Sequence, residues 1–500
     1  MTLRSLAGTT ALVLSLTSTS LLADVTPEDV WQAWQNAIAG MGATMTSDSA
    51  ARDGDALVVS NVAMGDTTGG AISLNAITFT DNGDGTVTVT LPDSFPISAT
   101  TPATAGDAAS LPSTVVIDVS MPGATIIASG TPDAILYDTD APRIALKADI
   151  SDAGTTGTVE VELTGVQVHD TSAIGEIDSY QQDLSVKSAI ISVKVTEPAT
   201  SADMVLTANV ADLYSNIAVS APKGAIADIF EVALTKGMTV TSQFGMGATK
   251  FDLAITEMGA TTTISGGIKD GMIDVAADAG KIDYYNNFNA LSVKVVSPDV
   301  PVENADFTLG QAELRLLFPI LKSDAPGDFA FLFNMTDLAF AEDIWAMIDP
   351  GMAFKHDPAT VVVDTYGQVT LAQDLSADAA AVTELDPNAV GQLNSLEIPN
   401  IHLKAGGAEL TAQGSFTFDN SDMTTFEGMP APTGKMDIKA TGVNALVDAL
   451  VAMGLIGPDE ADQGRMMLAM FANTSATADE ITSTLEFKDK HFFANGQQLQ

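Results

Sequence analysis

Between residue 56 and about residue 210 the apolar positions recur every second residue, in short segments rich in Val, Ile and Thr and punctuated by Gly, Pro and Asp. The clearest are 56–62, 72–79, 86–91, 114–119, 143–150, 158–168 and 189–195. A period of two sends successive side chains to opposite faces of a strand, whereas a helix needs 3.6. The stretch therefore reads as a run of β-strands. In 72–79 the apolar residues are Ile72, Leu74 and Ala76, then Ile77 and Phe79. The tract Asp81, Asn82, Gly83, Asp84, Gly85 superficially resembles a calcium loop, but its acids miss the EF-hand spacing and no Glu closes it. Asn-Gly and Asp-Gly supply the positive φ of a hairpin turn, and the tract is read as one.

Helical patterns are few. Thr26 as N-cap, Pro27 at the first helical position, Glu28 and Asp29 in the first turn, then Val30, Trp31, Trp34, Ala37, Ile38 and a Gly40 stop mark one helix. Two of the three tryptophans lie on it, which suits packing on a sheet or, in a sharper reading, a lid or membrane-interface helix. Its polar face carries acids and no Lys or Arg, which argues against anionic lipid. Further helices are predicted at 226–234, 341–348, 443–453 and from Pro458 to about Ala472, the last with Met466, Met467, Met470 and Phe471 on its apolar side. That side is core, or a surface adapting to a ligand. A closing hairpin is predicted from 482–487 and 492–499.

Internal echoes accompany these helices. Asn209, Asp212 and Leu213 match Asn334, Asp337 and Leu338, and a looser copy precedes the helix at 443; a second echo pairs 176–186 with 281–293. The separation exceeds any short solenoid repeat. The expected class is mainly β with a few helices (α+β): extended, curved antiparallel sheets with packing helices, built from duplicated β-plus-helix modules. The expected divisions are a leader at 1–23, a β-rich module at 24–200, a middle module at 201–325 and a C-terminal module at 326–500 holding the helix pair.

Residues 1–23 carry one basic residue, Arg4, an apolar stretch from Ala11 to Leu22, and Ala23 before Asp24. This is the pattern of a secretory signal peptide cut between Ala23 and Asp24. The apolar run is too short for a membrane span, so a periplasmic protein without a stable span is expected. There is no cysteine, so stability comes from burial and strand pairing rather than disulfides. With 64 Asp and Glu against 21 Lys and Arg the net charge is −43, a field that repels nucleic acid and excludes it as a partner.

Catalytic signals are missing. No GxSxG elbow occurs, and His169, His356, His402 and His491 are far apart with no HExxH spacing. The Gly-rich stretches at 245–247 and 265–267 lack the context and Lys of a phosphate cradle and read as turns. A non-enzyme without cofactor is expected, although the carboxylates make calcium conceivable. An outer-membrane barrel is disfavoured, because six Tyr and three Trp do not make aromatic girdles.

Four stretches, 23–35 (ADVTPEDVWQAWQ), 418–438 (FDNSDMTTFEGMPAPTGKMDI), 446–471 (LVDALVAMGLIGPDEADQGRMMLAMF) and 487–499 (FKDKHFFANGQQL), resemble an exported alphaproteobacterial family catalogued as domain of unknown function 2125. The resemblance implies a periplasmic or envelope protein and carries no activity or site residues. The alternating strands and closing helix pair are also similar in style to AsmA-type envelope proteins, which present β-grooves to lipids. Long apolar runs (Leu314, Leu316, Leu317, Phe318, Ile320, Leu321, and 329–333) suit either a sheet buried on both faces or an apolar groove. The leading expectation is a periplasmic protein that holds an apolar or lipid-like ligand or assists envelope assembly, with Leu450, Met466 and Met470 walling the groove. The alternative is a calcium-binding structural or adhesive surface protein.

Overall fold

The computed structural model describes residues 24–500 except 41–42, 66–69, 102–112, 153–154, 199, 224, 226–229, 303–304, 376–390 and 476–478. The expected leader at 1–23, with Ala23 of its cleavage site, therefore lies outside the described residues. The described chain is mainly β, with 27 strands in one sheet and helices α1 (Pro27–Gly40), α2 (Phe230–Thr235), α3 (Glu342–Ile348), α4 (Val443–Ala452) and α5 (Pro458–Phe471).

Every paired strand is antiparallel to its neighbour, and most strands pair with the next in sequence. Several strands run 19 to 21 residues, among them Ala134–Asp152, Thr155–Ala173, Ile177–Glu197 and Ala202–Pro222. Elsewhere two short strands laid end to end take one long place. Thr239–Met246 and Thr249–Glu257 together flank Ala202–Pro222, and Ala260–Ile268 with Asp270–Ala277 form the next level. The result is an up-and-down ladder of about twenty levels, roughly 100 Å along its contour at ~4.8 Å per level. Among the described residues its first and last strands pair only inward, so the ladder is open. Pairing runs without a break through residues 200 and 325.

A crease crosses the ladder at the middle of its strands. Gly165, Asp212, Ala290 and Asp337 have φ of 60°, 50°, 53° and 57°. A left-handed residue breaks the pleat, and the inside-outside alternation restarts one residue later. Asn61 (φ 51°) shows the effect near the start: Val59 and Val62 are both fully buried although three residues apart. The partner strand does the same with Leu74 and Ile77, which is the skip visible in 72–79. Val186 and Ala189 repeat it opposite Gly165. Both halves of each strand thus send apolar side chains to one face, and across the crease Ile144 and Leu163 pack with Val168, Leu184 and Leu213 around Ala141, Val166 and Val186.

The Asn-x-x-Asp-Leu echo acquires a structural meaning here: Asp212 and Asp337 are crease residues inside strands, and the helices come after the strand ends. The Gly-rich stretches are not turns. Gly245, Gly266 and Gly267 lie within strands. A Cβ on Gly266 would sit 2.2 Å from the Ser292 carbonyl oxygen and 3.0 Å from the Phe251 ring, so glycine lets that ring lie across the neighbouring strand. The tract 81–85 is a turn, with Gly83 N–H donating to Asp81 (2.8 Å) and both glycines at positive φ. The closing hairpin is a three-strand turn-back, Glu480–Lys488, His491–Ala494 and Gln497–Gln498.

Candidate ligand-binding trough

The ladder's two faces differ in chemistry. Reading across ten paired strands, one register row on the creased-in face is Val168, Leu184, Ser215, Phe244, Ile273, Asn286, Leu314, Phe333, Val363 and Ile401. Beyond the crease the same face carries Val161, Ile191, Ala208, Phe251, Val293, Phe307 and Phe340. The opposite face carries Asp138, His169, Asp183, Asn216, Gln243, Asp274, Tyr285 and Arg315 in one row.

The apolar face is not covered along its length. Phe331 and Phe333 are 39% and 38% exposed, and Phe244, Phe340 and Leu403 are similar. The run 329–333 thus alternates between faces rather than filling a sheet buried on both sides. A buried strand face normally loses such rings from water, so a row of half-open Phe and Leu is an apolar surface left open to a covering partner, the candidate trough. Helices close its ends and rims. At the N-terminal end α1, capped by Thr26 and Asp29 through reciprocal hydrogen bonds (3.0 and 3.2 Å), lays Val30 and Trp31 on Phe79, Ile77, Val59 and Leu57. Its tryptophans meet Phe79 at ring distances of 6.0 and 5.6 Å. α2 seals one rim through Ala233 and Leu234 against Val219, Val240, Ile282 and Phe318. α3 stands at the opposite rim, with Trp345 against Phe340 (6.1 Å) and stacked on His356 (4.5 Å).

Where α1 ends, a pocket of about 480 Å³ opens on the apolar face, lined by Ala33, Trp34, Ala37, Ile126, Ile135, Tyr137, Asp170, Ile174 and Tyr180 among others. Burial pushes the Tyr137 phenol up to about 12, with a smaller contribution from the Asp170 charge; the Trp34 side chain, hydrogen-bonded to it, opposes. Tyr180 rises to about 12 for the same first cause and through Asp170. Tyr180 Oη donates to Asp170 Oδ1 (3.2 Å), and Gln182 Nε2 donates to the same oxygen (2.9 Å) and to Tyr180 Oη (2.7 Å). Such a site can hold an apolar body and orient one polar group.

The polar face carries clefts of about 780, 620 and 630 Å³, each larger than the pocket beside α1. Several of their carboxylates are engaged across strands: Arg315 grips Asp283 through two nitrogens (3.1 and 2.9 Å), Glu313 accepts from Tyr285 (2.8 Å) and Asn334 (2.6 Å), and Asp138 meets His169 at 2.6 Å. Among the described residues no three His, Asp or Glu side chains converge as a metal-ligand set.

The residues expected to wall a groove, Leu450, Met466 and Met470, belong to the helix pair α4 and α5. Leu450 is half-buried on α4, whose Leu446 meets the Gly406 turn, while Met466 and Met470 on α5 are 71% and 65% exposed. Arg465 ties the two helices by donating to Asn444 (3.1 Å) and pairing with Asp448 (2.5 Å). This pair lies at the C-terminal end of the ladder, far along it from the pocket beside α1. Trp34, Tyr137, Asp170 and Tyr180 carry no sequence motif; the signal that could have found them is aromatic and acidic residues on the apolar phase of neighbouring strands.

No curated protein and no solved structure matches the chain. No described helix is long and apolar enough to cross a membrane. Residues 283–494 match a family described as "Uncharacterized protein conserved in bacteria (DUF2125)", a span that includes the stretches at 418–438 and 446–471 and leaves the one at 23–35 outside. The resemblance to the DUF2125 family is thereby shown over residues 283–494.

Proposed function

We propose that this chain is an exported, periplasmic, non-enzymatic protein that carries an apolar or lipid-like ligand along its creased sheet. The observation that supports the reading is the predominantly apolar face, which runs across ten register-paired strands with only Ser215 and Asn286 polar in its row, holds half-exposed Phe331, Phe333 and Phe340, and is plugged at one end by α1. Extended alkyl chains match such a surface because burial of each CH₂ contributes about 0.8 kcal/mol without any directional partner. Strand-then-helix passages ending in α2, α3 and α4 support duplicated β-plus-helix units as the origin of the plan. The test is native mass spectrometry of protein purified gently from periplasm, followed by solvent extraction. A reproducible apolar molecule bound near one per chain is expected; a bare mass together with failure to take up added lipid contradicts the reading.

A second reading, calcium binding at a structural or adhesive surface, draws on the carboxylates lining the polar-face clefts. It expects a rise in melting temperature with millimolar calcium that magnesium does not reproduce. A melt insensitive to both calcium and chelator contradicts it.

A further inference from the structure

We propose that the pocket between α1 and the strands Ala134–Asp152, Thr155–Ala173 and Ile177–Glu197 is a subsite for the cationic head of an amphiphile, an alkylammonium whose tail continues along the trough. The proposal rests on the trough reading and adds the chemistry of the head group.

Asp170 is the anomaly. It stands in the apolar phase of its strand, in register with Tyr137 on one side and Gln182 on the other. Among the described residues no Lys, Arg or His pairs with it, whereas Asp138, Asp283 and Glu162 on the polar face each have a His or Arg partner. Both of its hydrogen bonds fall on Oδ1, which leaves Oδ2 unengaged among the described residues. No basic residue lines the pocket, and three of its walls are the rings of Trp34, Tyr137 and Tyr180. A carboxylate set among aromatic rings in a half-closed apolar pocket is the environment that recognises ammonium: the ring faces attract the cation and the acid neutralises it. An anionic head would meet Asp170 and a net charge of −43. A neutral head would leave the acid unpaired beneath it.

The pocket also opens in the right direction. Ile174 and Ile135 border it, and from Asp170 the same face continues, beside the strip that α2 covers, as Gln182, Ile217, Ser242, Val275, Tyr284 and Leu316 in successive strands. A chain attached to the head group would meet no charged side chain along that row.

The experiment is titration of the full described chain, Asp24 onward, with dodecyltrimethylammonium, dodecyl maltoside and dodecyl sulfate, all below micelle formation, read by calorimetry and by tryptophan fluorescence. The cation is expected to bind at least about ten-fold more tightly than the maltoside, and the sulfate most weakly. Asp170→Asn keeps size and hydrogen-bond acceptor and is expected to remove most of that preference. Asp138→Asn, the same charge change on the polar face, is expected to leave the preference intact, which separates the subsite from general attraction of cations. Equal affinity for cation and maltoside, or a preference unmoved by Asp170→Asn, overturns the subsite and spares the trough. Binding of none of the three overturns the trough itself. Should Asp170→Asn fail to fold, Tyr180→Leu, which removes one ring wall of the pocket, is expected to lower the ratio of cation to maltoside affinity, and an unchanged ratio overturns the subsite.

Discussion

At the scale of single residues, the left-handed positions decide the shape. Gly165 has φ +60°, and a Cβ there would come 3.1 Å from the Lys187 side chain on the facing strand. Gly165→Val therefore combines backbone strain with crowding and is expected to destabilise the fold by about 2 kcal/mol or more in denaturant titration. The reverse case is Ala290, which holds φ 53° with a side chain that penalises it. Ala290→Gly, in mid-strand where glycine ordinarily weakens a sheet, is expected to raise stability by up to about 1 kcal/mol, because relief of left-handed strain outweighs the entropy cost of glycine. A loss on Ala290→Gly would show that the crease does not depend on that conformation. The crease was legible in the chain as a one-residue skip, Ala76 to Ile77, but period-two reasoning registers a skip only as noise. Asp212 and Asp337 were visible as an echo and invisible as crease residues, since aspartate tolerates left-handed φ without being its signature.

At the scale of elements, α1 was the most readable, because its cap, its Pro and its acidic first turn are local chemistry that tertiary context did not need to supply. Trp31 is 8% exposed over Phe79; Trp31→Ala is expected to cost roughly 3–5 kcal/mol in denaturant titration. α5 was legible as a helix but not in its placement, since amphipathicity tells that a Met face exists and not whether anything covers it. α3 carries a pH-dependent latch. His356 stacks on Trp345, meets Glu342 at 2.8 Å and lies 3.6 Å from buried Asp349. The hydrogen bond to Glu342 is the main cause that raises the imidazole above its ordinary value, against burial, with Asp349 adding to the rise. A raised histidine contributes stability fully below its unfolded value of about 6.5 and loses it as pH climbs through the higher folded value. Asp349 is lowered, chiefly by the Phe354 and Ala353 N–H groups, so its contribution is present above its ordinary range and fades only in acid. The wild type is expected to lose more melting temperature between pH 6 and pH 9 than His356→Gln does. Parallel losses in both proteins would remove the latch.

At the scale of the whole molecule, alternating strands, many of them reset once at mid-length, turn their apolar phase to one face of the ladder and leave part of it uncovered. Overall β character and antiparallel pairing were readable from alternation alone. The single continuous ladder was not, because echoes between strands look the same whether they come from separate modules or from one sheet whose levels all obey one rule. The site was illegible for a related reason: its walls, Trp34, Tyr137, Asp170 and Tyr180, are brought together by register between strands, which no local pattern records. Charge on the trough should act on ligand rather than fold. Phe333→Glu, at a side chain already 38% exposed, is expected to lower lipid occupancy several-fold with little change in melting temperature, while Leu332→Glu on the polar phase leaves occupancy alone. The most direct measurement is photo-crosslinking with a diazirine-bearing alkyl chain, mapped by peptide mass spectrometry. Label concentrated on Leu314, Leu316, Phe331 and Phe333, and absent from Arg315, Leu332 and Asp364, is the expected result; label on both phases alike, or only on the exposed Met face of α5, would contradict the trough.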